Sequence, residues 1–107
     1  MKECGRIISM MNNNNHISLP SDERIVDKTI HYINYTKDSI EGVPTKDMKN
    51  ILVFWQSEES KDSGWDEARF YKLSGGFWHV DFKDYYVGRF PKYMHYVAWV
   101  DLDEKSA

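Results

Sequence analysis

Apolar positions follow different rhythms before and after Asn50. In PSDERIVDKTIHYINYTKDS (20–39), Val26, Ile30 and Ile33 recur every three to four residues, and Ile25 and Tyr32 widen the stripe. Ser21 is a good N-cap, and Asp22 and Glu23 suit the positive end of a helix dipole. This spacing predicts a helix over 22–35. A rival lies inside it, because Thr29 to Thr36 is rich in Ile, Tyr and Thr, which favour strands. The helix is the preferred reading. Lys37 to Asn50 is polar, with Gly42 and Pro44, and reads as a connecting loop.

From Ile51 the pattern becomes that of a sheet. ILVFWQ (51–56) is apolar at nearly every position, so both faces of this strand should be buried. SEESKDSG (57–64) is a polar turn. WDEARFYKL (65–73) alternates, with Trp65 and Tyr71 on one side and Ala68 and Phe70 on the other. Ser74-Gly75-Gly76 supplies the positive φ that a tight hairpin needs. FWHVDF (77–82) places Trp78, Val80 and Phe82 opposite Phe77, His79 and Asp81. KDYYVGRFPKYM (83–94) is a longer crossing loop, and HYVAWVDL (95–102) is the last strand. A helix followed by a run of strands gives the expected fold class, α+β: one N-terminal helix packed on a four-stranded antiparallel meander. Trp65 and Trp78 are expected to pack as a cross-strand pair beside the glycine turn.

Composition narrows the picture. The chain has 107 residues, enough for one domain and one modest core. We assign 1–107 to that domain, with 1–18 as a flexible lead-in and 103–107 as a flexible tail. Fourteen of the sixteen aromatic residues follow Asn50. The formal net charge of -3 disfavours a broad duplex-DNA footprint, which needs many phosphate contacts. A single cysteine, Cys4, can form no internal disulfide and has no zinc-type spacing. The apolar run near the N-terminus is short for a signal peptide, and no stretch approaches a membrane span. The expectation is a cytoplasmic protein, monomer or homodimer, with no membrane partner and no cofactor.

Three constellations carry candidate chemistry. His79 and Asp81 share a strand face, and His95 on a neighbouring strand would complete a metal triad; the plainer reading is a solvated sheet face. Asp62, Asp66 and Glu67 flank Trp65, and an indole beside a carboxylate can raise its pKa; such residues in a polar turn are usually just hydrated. The crossing loop interleaves Lys83, Arg89 and Lys92 with Tyr85, Tyr86, Phe90 and Tyr93. Exposed bases can stack on such rings while cations hold phosphates. The same residue types also suit a protein interface, or the rings cover the sheet while the cations reach water.

The second half also shows a run of short motifs. They are Val43-Pro44, Ile51-Leu52-Val53, Gly64-Trp65-Asp66, Ala68, Phe70 or Tyr71, Gly76 with Trp78, and His95 to Trp99. Over about residues 43–102 this order resembles the domain of unknown function 551 family, small proteins of phage and prophage genomes. His95 and Trp99 stand apart here, where the family tends to keep His and Trp adjacent, and the family's proline-rich ending is missing. The resemblance implies a mobile-element setting and no particular chemistry. The combined expectation is a small, non-enzymatic accessory protein acting by protein contact. A single-stranded nucleic-acid binder through 83–95 and a metal-dependent enzyme using His79, Asp81 and His95 are the alternatives.

Overall fold

The structure is a computed structural model, and it describes residues 18–105. The expected lead-in, with Cys4 and the asparagine run, falls outside the described residues except for Ser18. Ser106 and Ala107 of the tail fall outside them too.

Among the described residues, seven strands carry the fold: β1 (Ile30–Tyr32), β2 (Asn34–Tyr35), β3 (Ile40–Glu41), β4 (Met48–Gln56), β5 (Ser63–Lys72), β6 (Trp78–Phe82) and β7 (His95–Asp101). Five form an antiparallel sheet in the order β1-β7-β4-β5-β6, and β2 and β3 form a separate hairpin. Among the described residues the helical content is limited to short 3-10 turns at Glu23–Ile25 and Ser74–Gly76. The architecture is therefore mostly β, and the α+β expectation is overturned.

The central position of β4 follows from its sequence. A strand apolar on both sides is stable only when both faces are covered and both edges paired. Ile51, Val53 and Trp55 enter a first-face core with Ile33, Ala68, Phe70, Phe82 and Trp99. Leu52 and Phe54 enter a second-face core with Trp65, Val97, Ala98 and Val100. The first face is covered by Tyr35 and Val43 of the hairpin region and by Phe90 and Met94 of the crossing loop. Leu19 and Ile25 of the N-terminal segment cover the second.

The predicted helix over 22–35 is replaced by one 3-10 turn and two strands. Asp22 caps the turn by accepting the Arg24 backbone N–H at 2.8 Å. Asp27 then adopts φ 62°, a left-handed conformation that ends the turn. From there the strand preference of Ile, Tyr and Thr prevails, because alternation can serve two cores at once. Ile30 and Tyr32 pack on the second face and Ile33 and Tyr35 on the first. Val26, expected in the apolar stripe, is exposed.

The meander fails at its last step. β4, β5 and β6 are consecutive neighbours, but β7 returns to the far side of β4, giving a Greek-key order. A hairpin needs only about 2–5 linking residues; residues 83–94 are long enough to cross the first face. The crossing supplies the second edge partner that β4 requires. Trp65 and Trp78, expected as a pair, lie on opposite faces, because Trp78 stands opposite Lys72, whose side chain alternates to the face away from Trp65. Trp65 lies tilted against Phe54 at 5.3 Å, and Trp78 lies 5.8 Å from Phe70. The glycine turn is as expected, with φ 77° and 84° at Gly75 and Gly76.

One hydroxyl stands in for a missing strand. β1 pairs with β7 from Ile30 to Tyr32, and the Ile33 N–H still donates to Val97 O at 2.9 Å. Beyond that point the Tyr35 hydroxyl donates to the Tyr96 carbonyl at 2.7 Å and accepts the Tyr96 N–H at 3.2 Å. Burial disfavours the phenolate and pushes the Tyr35 pKa from 10.0 up to about 12. Tyr35→Phe should cost about 1–3 kcal/mol by urea denaturation, since both backbone groups lose a partner. The sign of the pH effect follows from linkage: the native state holds the proton that the unfolded state releases. Stability is thus intact below pH 10.0 and falls as pH rises toward about 12. The slope in that window should flatten in the Tyr35→Phe protein.

Candidate contact surface on the crossing loop

The loop between β6 and β7 is pinned from below. Phe90 stacks on Phe82 at 4.5 Å and meets the Trp55 indole edge-on at 5.5 Å. Beside it, Asp66 of β5 joins strand to loop. Its Oδ2 accepts the Trp55 indole N–H at 2.7 Å, and its Oδ1 accepts Arg89 Nη2 at 2.9 Å. The Arg89 guanidinium also lies over the Phe90 ring, 4.5 Å from its centre. A charge-assisted bond and a ring contact together fix both ends of this side chain. Lys83, at the loop's start, donates to the Asn50 side-chain oxygen.

The rest of the loop faces outward. Tyr85 rests on Phe90, with ring centres 6.2 Å apart and planes at 6°. Tyr85 and Tyr86 are each 61% exposed, Val87 90% and Tyr93 60%. The Lys92 ammonium lies 5.3 Å from the centre of the Tyr93 ring. The structure thus splits the seven predicted site residues. Tyr85 and Arg89 come together on Phe90, Arg89 also pairs with Asp66, and Lys83 is tied to β4. Tyr86, Lys92 and Tyr93 remain on the outside. Val87, missed in the sequence, is the most exposed apolar side chain of the group; its position between two tyrosines and a glycine was the available signal.

The other two constellations do not assemble. His79 and Asp81 share the exposed face of β6, but His95 begins β7, with β5 and β4 lying between. Adjacent strands are about 4.8 Å apart, so these residues cannot share one ion. Among the described residues, no group of three or more His, Cys, Asp or Glu side chains is placed to hold a metal. His95 stands edge-on to Tyr35 at 6.2 Å, and burial lowers its pKa below the usual value. The carboxylates flanking Trp65 also disperse. Asp66 turns to the first face and Glu67 to the second, 3.7 Å from Arg24.

A further feature was not visible in the sequence. The β2–β3 hairpin and the β5–β6 turn enclose an open groove of about 580 Å³, lined by Ile40, Val43, Pro44, Phe70, Phe77 and Trp78. Its residues come from segments far apart in the chain, and only the packed structure places them together.

No protein-family model, curated protein or solved structure matches the chain. No helix among the described residues is long and apolar enough to cross a membrane.

The Asp66 arrangement gives a direct test. Asp66→Ala leaves the part-buried indole N–H and Arg89 without their shared acceptor. It should cost about 1–3 kcal/mol in urea denaturation. Trypsin should also cut after Arg89 faster than in the parent, because the loop loses its tie to β5. Unchanged stability with unchanged cleavage would show that the bonds do not restrain the loop.

Proposed function

We propose that the chain is a small, non-enzymatic accessory protein that acts by protein contact, with the tip of the crossing loop as its contact surface. The observation that carries this reading is the outward set of Tyr85, Tyr86, Val87 and Tyr93 on a loop anchored by Phe90. Aromatic side chains of this kind dominate the buried centres of protein interfaces. A loop already held in place loses little freedom on binding, which favours its use as a recognition element.

The cations of the same loop support this reading over nucleic acid. Arg89 is paired with Asp66, and Lys83 is bonded to Asn50. A phosphate would have to displace these partners, in a chain whose net charge is -3. The order of Gly64-Trp65-Asp66 and of Gly76 with Trp78, which resembles the domain of unknown function 551 family, supports a phage or prophage setting. The lone cysteine fits a reducing, cytoplasmic compartment.

The test is a paired replacement at the tip. Tyr86→Ala with Val87→Ser should abolish capture of a nuclease-resistant protein partner, with a melting temperature close to that of the parent. Titration with single-stranded DNA or RNA provides the counter-test. Micromolar binding that weakens steeply with salt and disappears in Arg89→Ala would replace the protein-contact reading with the nucleic-acid one.

A further inference from the structure

β6 ends the sheet, and its outer edge is open. Lys83 N–H donates to Glu67 O at 3.0 Å, and Leu73 N–H donates to Phe77 O at 2.7 Å. Between these bonds the register runs from Ala68 opposite Phe82 to Lys72 opposite Trp78. Bonded pairs alternate along an antiparallel ladder, so Phe77, His79, Asp81 and Lys83 direct their backbone groups to β5. Trp78, Val80 and Phe82 therefore direct theirs outward. No hydrogen bond of a described residue reaches those outward groups.

Edges left like this are usually guarded by lysine, proline or a bulge. Between Trp78 and Phe82 there is none of these. The strand is also complementary to itself. Placed antiparallel about Val80, each Trp78 faces a Phe82 and Val80 faces Val80, which are the residues with outward backbone groups. On the exposed face, each His79 then stands opposite an Asp81. An imidazole N–H can donate to that carboxylate whether the ring is neutral or charged. Directly opposed side chains in such a ladder are within contact distance.

We propose that two copies of the chain pair antiparallel through β6, about a twofold axis at Val80, joining their five-stranded sheets into one. The joint makes about six backbone hydrogen bonds. It adds unlike pairs on the solvent face and apolar pairs on the core face. It uses a surface other than the Tyr85–Val87 tip, so it holds or fails separately from the protein-contact reading.

Sedimentation velocity across a concentration series, with the full chain, tests it. The parent should show a reversible monomer–dimer equilibrium. Val80→Pro removes an outward N–H and no bond to β5, as proline is tolerated at such edge positions. It should raise the dimer dissociation constant by roughly tenfold or more while leaving the circular dichroism spectrum intact. Independently of that variant's folding, H79D sets like charges opposite each other and should also weaken the dimer. The exchanged pair H79D/D81H restores unlike partners and should return the constant to within about threefold of the parent, since opposed unlike charges are worth under about 1 kcal/mol each. A parent that stays monomeric at millimolar concentration overturns the proposal, even if β6 captures an extended peptide. So does a dimer that is indifferent to V80P in its folded form, or to the charge exchange.

Discussion

The double burial of β4 is the constraint from which the rest of the structure follows. A strand that is apolar on both faces must have cover on both, and among the described residues, which hold no long helix, only loops and short strands provide it. Loops cover a sheet poorly unless something holds them, because their backbone groups compete for water. Here the indoles do the holding. Trp65 donates to Pro20 O at 3.0 Å and ties down the N-terminal segment on the second face. Trp99 donates to Gly42 O at 2.7 Å and ties down the hairpin on the first. Trp55 reaches the crossing loop through Asp66 and Arg89. Each of these rings fills a core and uses its single donor to secure that core's lid.

The Gly42 contact shows how tightly such a lid is fitted. Gly42 has φ +90°, and a Cβ there would lie 2.1 Å from the Tyr32 carbonyl oxygen. Only glycine brings its carbonyl under the Trp99 indole while passing that close to β1. His31, stacked on the same indole at 4.1 Å, closes the other side. The aromatic richness of the second half is therefore largely architectural. Rings with a polar partner or several ring neighbours build the core. Those left exposed on the crossing loop form the surface on which the functional reading rests.

Much of this was legible before folding. The unbroken apolar run of β4 announced burial on both faces, Ser74-Gly75-Gly76 announced a hairpin, and the alternation in β5 and β6 assigned their faces correctly. What failed was arbitration between periods. Val26, Ile30 and Ile33 satisfy a helical stripe, yet Ile30, Tyr32, Ile33 and Tyr35 equally satisfy a strand serving two cores. Local spacing does not distinguish these until both cores exist. The length of the crossing loop was in plain view, and weighed against the need of β4 for a second edge partner it argues for the return of β7. At the surface, the basic and aromatic composition of the loop was readable. The pairing of Arg89 with Asp66 was not, since the two are brought together only by the crossing.

The crossing loop and the β6 edge are also linked through chain order, because the loop leaves β6 directly after Phe82. In an antiparallel joint about Val80, Phe82 of one copy lies beside Trp78 of the other. Each loop base is then brought next to the partner's glycine turn, where Phe77 and Trp78 line the open groove. The aromatic tip and the groove stand apart in a single chain, at opposite ends of one short strand. In the paired form the base of each loop lies beside the partner's groove, twice, at the two ends of the joint, so the edge that joins the sheets also sets the surroundings of both features.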